Sequence, residues 1–211
     1  MKYVHYGRDY GELISKIPTH ELRKLGVTES KYSVPANPVV APNSSKIRIA
    51  FFGINAYADP DDYDEIGKFR NFFETKQSDY NRKLFSTIDL YHNGITQSYI
   101  DGGSVYFSNF VKIVLRTDLT FKDARAVSSA IKKCPVALNL YKCAVKDEID
   151  GLKKQGCKLF ICFGGEANYF VSESSPYRPL IHERHYSRNI PEETKTEIDR
   201  INKEFKFLQD N

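Results

Sequence analysis

Three groups of polar residues carry side chains that could do chemistry. Asn55 and Tyr57 follow an apolar run at residues 47–53, Asn109 lies within a second run, and His185 opens a polar segment. A carboxamide can orient a water molecule, and its donor and acceptor can pair with the edge of a heterocycle. A neutral imidazole can donate a hydrogen bond to a developing anion. These groups act together only if the fold brings them to one place.

The elements that would position these residues are strands that alternate with helices. Runs rich in β-branched and aromatic residues predict strands at residues 47–53, 105–115, 158–163 and 178–185. Helices are predicted at residues 11–25, 69–90, 121–133 (capped by Thr120 or Asp118), 145–155, 166–171 and 191–208. The alternation favours an α/β fold with a four-stranded parallel sheet flanked by helices on both faces. Because the carboxyl ends of parallel strands meet at one edge, one crevice could collect all three polar groups.

Length and composition predict one folded domain. The 211 residues are 41% hydrophobic and 13% aromatic, which is enough apolar surface for one hydrophobic core. We expect an N-terminal helix and connector at residues 1–46, packed on an α/β domain at residues 47–211. The net charge of +4 permits an anionic partner without requiring one.

No long apolar run or signal-peptide core is found, so we expect no membrane segment and a cytoplasmic location. The cysteines match no zinc pattern and are expected to be small buried hydrophobes: Cys134, Cys143, Cys157 and Cys162.

Several short motifs, taken in order, resemble those of the uracil-DNA glycosylase superfamily. Gly-Ile-Asn at residues 53–55 is similar to the start of the first motif in its mismatch-specific and single-strand-selective branches. Residues 106–112 resemble the family's Tyr-Ile-Thr-Asn-Val-Val-Lys strand, and residues 185–189 resemble its His-Pro-Ser-Pro-Arg-Asn motif. Residues 67–69 are similar to a Gly-x-Pro-Phe segment, and residues 159–167 to a Leu-Gly-x-x-Ala turn. The resemblance covers most of the chain and implies the family's fold.

The chain departs from the family at several positions. Ala56 stands where related branches have proline, while Tyr57 coincides with the tyrosine of the Gly-Gln-Asp-Pro-Tyr-His branch. The second motif has Tyr186 for its first proline and lacks the second proline. The iron–sulfur branch needs an N-terminal cysteine pair and a cysteine after the base-reading strand, and here only Cys143 falls near a cluster position. We therefore predict no iron–sulfur cluster.

The resemblance implies that Asn55 and His185 are catalytic. Asn55 would orient the water that attacks C1′ of a sugar with oxocarbenium character. His185 would donate a hydrogen bond to the pyrimidine O2 and stabilise the departing base. Without the resemblance, Asn55 could simply cap a turn, and His182 is a competing imidazole.

The resemblance also implies residues that bind the base and the DNA. Asn109 would pair with the pyrimidine edge, Phe69 would stack on the flipped base, and Tyr57 would stand against C5. Tyr57 would either exclude thymine or admit a larger 5-substituent. Ser187 would contact a phosphate, and Arg188 would enter the space left by the extruded nucleotide. The ordinary alternatives are a strand asparagine bonded to the main chain, a core phenylalanine and a solvated arginine.

Together these implications predict a monomeric, monofunctional DNA glycosylase that removes uracil or a related pyrimidine and leaves an abasic site. No lysine stands at a motif position suited to Schiff-base chemistry, so lyase activity is not expected. The expected partner is DNA, with no metal ion or other cofactor. Two alternatives remain open: a glycosylase specific for a bulky 5-modified pyrimidine, in repair or in defence against foreign DNA, and a non-catalytic DNA-binding member of the fold. The absence of a phosphate-binding loop disfavours an unrelated nucleotide enzyme.

Overall fold

Two sheets and five helices make up the part of the chain that the structure describes. The structure is a computed structural model, and it describes residues 10–27, 39–40, 49–55, 57–58, 105–113, 115–116, 123–157, 159–176 and 180–183. The strands are β1 (Val39–Val40), β2 (Ile49–Gly53), β3 (Tyr57–Ala58), β4 (Val105–Asn109), β5 (Leu115–Arg116), β6 (Leu159–Phe163) and β7 (Leu180–Glu183). The helices are α1 (Tyr10–Ser15), α2 (Thr19–Lys24), α3 (Ala124–Lys132), α4 (Pro135–Lys154) and α5 (Gly165–Ser174).

The larger sheet has β2 at its centre. The strand order is β1-β4-β2-β6-β7, and β2 pairs in parallel with both β4 and β6, while β7 pairs in parallel with β6. The predicted α/β arrangement with parallel strands is therefore confirmed. β1 is antiparallel to β4 at the edge. The sheet is therefore mixed, and the prediction of a purely parallel sheet is wrong in this respect. The short strands β3 and β5 pair with each other in a second sheet.

β2 is buried on both of its faces. Ala50 and Phe52 lie on the face that packs with the helices in the main core. Phe51 points to the opposite face, where its ring stacks on that of Phe163 with the centroids 5.4 Å apart. All three of these β2 residues have no exposed area. Burial on both faces requires a continuous apolar run, and that run is what predicted a buried strand here.

The predicted strand at residues 105–115 is divided in the structure. β4 ends at Asn109, and the chain bends before it forms β5. The amides of the two residues after Asn109 donate to the carbonyls of Gly53 and Ile54, each at 2.9 Å. The chain thus stays bonded to the end of β2 while it turns away. Buried apolar residues continue past the bend, so β-propensity alone extends the strand too far.

Pro18 divides the predicted N-terminal helix in two. The periodicity of residues 11–25 predicts one helix, but α1 ends at Ser15 and α2 begins at Thr19. Pro18 is extended, with φ −59° and ψ 141°, and it lacks the N–H that a continuing helix would use. Apolar residues of this segment still enter the main core, among them Leu13, Ile14, Ile17 and Leu25.

The next two helices are present with different bounds. α3 is capped by Asp123, and not by Thr120 or Asp118, because the Asp123 carboxylate accepts from two first-turn amides at 2.9 Å each. α4 begins at Pro135 and not at residue 145, since a helix tolerates proline in its first turn. The helices predicted at residues 69–90 and 191–208 lie outside the described residues.

Glu21 joins α2 to the first turn of α4. Its buried carboxylate accepts from the Val136 amide at 3.2 Å and from the Ala137 amide at 2.8 Å.

Glu21→Ala removes this acceptor and a negative charge at a helix N-terminus, so we expect the free energy of unfolding in urea to fall by about 1–3 kcal/mol. The matched control is Glu12→Ala, which removes an exposed carboxylate paired with Lys16 and should cost far less. Equal losses in the two variants would contradict the capping role.

Candidate functional site

The structure brings two of the predicted site residues to the same edge of the sheet. Gly53, the last residue of β2, is paired in register with Asn109, the last residue of β4. Asn55 follows Gly53 by two residues, and the main-chain bonds between the two strands continue to the Ile54 carbonyl. Two carboxamides therefore lie at the carboxyl ends of adjacent parallel strands. Open α/β sheets bind their ligands at this edge.

The side chain of Asn55 is buried without a hydrogen-bond partner. The residue is 6% exposed, and neither Nδ2 nor Oδ1 has a partner among the residues that the structure describes. A buried polar group without a partner costs about 1–3 kcal/mol, and folded proteins contain few of them. An asparagine that capped a turn would bond to the main chain, and Asn55 makes no such bond to the described residues. Its carboxamide is available to orient a water molecule or a ligand.

A buried charge network lies beneath the end of β4. Lys112 Nζ donates to both carboxylate oxygens of Glu148, at 2.9 and 3.0 Å. It also donates to Ser108 Oγ at 3.0 Å and to the main-chain carbonyl of Asn109. Ser108 Oγ in turn donates to Glu148 Oε1 at 3.1 Å. Since Glu148 belongs to α4, the network ties the end of β4 to that helix.

Burial acts on both charged groups of this network. The side chains of Lys112 and Glu148 are 0% exposed. Their burial raises the pKa of Glu148 well above its usual value and lowers the pKa of Lys112 well below its usual value, because a low-dielectric interior penalises each charged form. The mutual attraction and the hydrogen bonds offset this penalty only while both partners are present. The two residues therefore act as a unit.

β6 completes the edge on the other side of β2. It ends at Phe163, and Gly164 takes φ 88° and ψ 155° before α5 begins at Gly165. Any side chain would be strained in that conformation, so this immediate turn from strand to helix requires glycine. The sheet extends from β2 toward β4 on one side and from β6 toward β7 on the other. The ends of β2 and β6 therefore flank a switch point, where sheets of this kind form a ligand crevice.

The structure covers the other predicted site residues only in part. Tyr57 is in β3, where it is paired in register with Leu115 of β5. His182, the competing imidazole, is in β7 and is paired with Cys162 of β6. The predicted residues that lie outside the described ranges are Phe69, His185, Ser187 and Arg188. Of the predicted site residues, the structure thus places Asn55 and Asn109 at one edge of the sheet, and the roles of all of them stay predictions.

Sequence reasoning missed Glu148 and the role of Lys112. Glu148 lies in a charged run, residues 146–148, that resembles a solvated helix face. A signal was nevertheless present, because Glu148 shares a helical stripe with the buried residues of α4, which include Tyr141, Val145, Ile149 and Leu152. A carboxylate in an apolar stripe needs a buried partner.

Other features of the described residues bear on the predicted partners. In these residues no three His, Cys, Asp or Glu side chains are grouped so that they could hold a metal ion. None of the helices in this part of the chain has both the length and the apolar character needed to cross a membrane. All four cysteines are free thiols, and three are buried as predicted, while Cys143 is half-buried.

Comparison with known proteins gives no match, either to a protein-family model or to a curated protein. A function must therefore be inferred from the residues of this chain and from their positions. The features that bear on it are the Asn55 carboxamide, which has no partner among the described residues, Asn109 at the same sheet edge, and the buried network beneath Asn109.

Proposed function

We propose that the protein is a monofunctional DNA glycosylase that hydrolyses the N-glycosidic bond of a flipped-out uracil or related pyrimidine. Its fold would be that of the uracil-DNA glycosylase superfamily, and it would act as a monomer in the cytosol. Support comes from the sequence motifs at residues 53–55, 106–112 and 185–189. Further support is the sheet edge, where Asn109 ends β4 and Asn55 follows the end of the adjacent strand β2 by two residues.

The observation that supports this function most directly is the unpartnered carboxamide of Asn55. Hydrolysis of an N-glycosidic bond passes through an oxocarbenium-like sugar, which is already electrophilic when water attacks. Such a reaction needs a water molecule held beneath C1′ more than it needs a strong base. The Asn55 oxygen can accept a hydrogen bond from that water, and among the described residues no protein group competes for it.

Asn109 would read the extruded base. One carboxamide presents a donor and an acceptor, so it can pair with the N3 and the O4 or N4 groups of a pyrimidine. Asn109 is only 8% exposed, and a hydrogen bond formed there meets little competition from solvent. Because Asn109 ends β4 and Asn55 follows the end of the adjacent strand β2 by two residues, one base held at this edge would lie near both residues.

The remaining roles are assigned from the sequence motifs. His185 would donate to the pyrimidine O2 and stabilise the departing anion. Phe69 would stack on the base, and Tyr57 would stand against C5. Ser187 and Arg188 would hold the DNA, with Arg188 filling the space of the flipped nucleotide. Leaving-group stabilisation by an imidazole and water placement by a carboxamide together make a metal-independent hydrolysis.

Release of free base from oligonucleotides tests this function. The panel would contain uracil, hypoxanthine, 5-hydroxymethyluracil and 5-methylcytosine, each in single-stranded and double-stranded DNA. We expect the wild type to release uracil or a related pyrimidine and to leave an abasic site without cutting the strand. His185→Ala should slow release by about 10²–10³-fold, because it removes one donor to the developing anion. His20→Ala, which changes an exposed histidine of α2, is the matched control and should leave the rate unchanged.

The same panel separates the alternatives. Release of 5-hydroxymethyluracil or 5-methylcytosine without release of uracil would identify a glycosylase for 5-modified pyrimidines. DNA binding without release of any base, unchanged by Asn55→Ala, would contradict the catalytic function and favour a DNA-binding module.

A further inference from the structure

The peptide group between Asn109 and Phe110 is held at both of its polar ends. Its N–H donates to the Gly53 carbonyl at 2.9 Å, and its carbonyl accepts from Lys112 Nζ. In the described part of the sheet, β1 pairs with only two residues of β4, Tyr106 and Phe107. Beyond them, on that side of β4, the lysine ammonium takes the place of a strand partner.

A purely stabilising role does not explain why this position uses an ion pair. Burying an ammonium and a carboxylate is costly, and apolar side chains of similar volume often stabilise a core as well or better. Apolar side chains, however, have no hydrogen-bond donor for the Asn109 carbonyl or the Ser108 hydroxyl. The Lys112 ammonium makes both of these bonds. The geometry therefore favours a role in fixing the main chain at this point.

We propose that Lys112, held by Glu148, is a positioning residue that fixes the main chain of Asn109 so that its carboxamide meets the edge of the flipped base. This inference rests on the proposed function. Glu148 anchors the ammonium from α4, and the ring of Tyr10 in α1 lies 5.1 Å from Nζ. Supporting residues of this kind hold a binding side chain in its productive geometry. Since Lys112 has no exposed area, it acts through Asn109 and does not touch the substrate.

A double-mutant cycle in activity tests the inference. Lys112→Met/Glu148→Met replaces the ion pair by apolar side chains of similar size, so that no lone charge is left in the core. It is made in the wild-type background and in an Asn109→Ala background, and kcat/KM is measured on whichever pyrimidine of the panel the wild type releases. If Lys112 acts through Asn109, the replacement lowers kcat/KM by about 10- to 100-fold in the wild-type background. In the Asn109→Ala background the same replacement changes kcat/KM by about 2-fold or less.

Each other outcome contradicts the inference in a recognisable way. An equal loss in both backgrounds would show that the ion pair only supports the fold. No loss in the wild-type background would show that Asn109 does not depend on Lys112. If the wild type releases no base from any oligonucleotide, the proposed function fails and the inference fails with it. An active wild type with an unaffected ion-pair variant overturns the inference alone.

Hydrogen exchange gives a readout that does not depend on activity. In the ion-pair variant, the amide of Phe110 should exchange about tenfold faster, because its peptide group has lost the restraint on the carbonyl side. The Leu152 amide, in the buried stripe of α4, should keep its wild-type rate. Lys146→Met/Asp150→Met, which removes an exposed ion pair of the same helix, is the matched control and should change neither amide. Unchanged exchange at Phe110 would contradict the positioning role.

Discussion

Asn55→Ala is expected to remove most of the base-releasing activity without destabilising the fold. Loss of the group that orients the attacking water should slow single-turnover release by about 10²–10³-fold. The free energy of unfolding should stay the same or rise, because the carboxamide is buried with no partner among the described residues and has no hydrogen bond to lose. Quenched-flow release and urea denaturation of the same preparation measure the two quantities. If Asn55 were structural, the substitution would lower stability and activity together.

Asn55→Asp is the companion substitution, since it keeps the shape and changes the charge. A carboxylate near the reacting sugar would stabilise the positive charge that develops there, so the variant should be faster than the wild type where the carboxylate is ionised. Burial at this position raises the pKa of a carboxyl group. The rate of the variant should therefore increase with pH as the carboxyl group ionises. The wild-type asparagine does not ionise, so residue 55 adds no such pH dependence to the wild-type rate. A variant that is slower than the wild type at every pH would contradict the assignment of Asn55.

The fold could be predicted where one physical cause dominates. The apolar run at residues 47–53 predicts a strand that is buried on both faces. In the structure β2 is the central strand of the larger sheet, the position where both faces of a strand are covered. Proline shows the limit of such reasoning. Pro18 interrupts a periodic pattern, whereas Pro135 begins a long helix. The residue type is the same, and the surrounding contacts decide which effect prevails.

The sheet edge that forms the candidate site could be predicted from the sequence, but the buried pair of Lys112 and Glu148 beneath it could not. Parallel strands place their carboxyl ends together, so the sequence indicates that Asn55 and Asn109 share an edge. The register pairs Gly53, two residues before Asn55, with Asn109. After Asn109 the long strand is divided, and there the Lys112 side chain turns back to donate to the Asn109 carbonyl, a tertiary contact that β-propensity does not predict. Periodicity could show that Glu148 lies in a buried stripe, but not which residue neutralises it. That partner lies 36 residues earlier and is known only from the tertiary structure.

The ion pair of Lys112 and Glu148 should show strong coupling in stability. Glu148→Met leaves an ammonium in the core without its counter-charge, and we expect the free energy of unfolding to fall by about 3–5 kcal/mol. Lys112→Met leaves a buried carboxylate and should also be strongly destabilising at neutral pH. The combined variant should be more stable than either single variant, because no uncompensated charge remains. Urea denaturation of the four proteins gives the coupling, and simple additivity of the two losses would contradict the buried pair.

The dependence on pH distinguishes the two single variants and follows from the pKa directions. Burial raises the pKa of Glu148 well above its usual value. We expect that burial to persist in Lys112→Met, so the folded state should bind the Glu148 proton more tightly than the unfolded state does. The free energy of unfolding then decreases as pH rises from the usual glutamate pKa through the raised value. Burial lowers the pKa of Lys112 well below its usual value. We expect that burial to persist in Glu148→Met, so unfolding should become less favourable as the pH rises toward the usual lysine pKa. Denaturation at acidic, neutral and alkaline pH should thus show slopes of opposite sign for the two single variants.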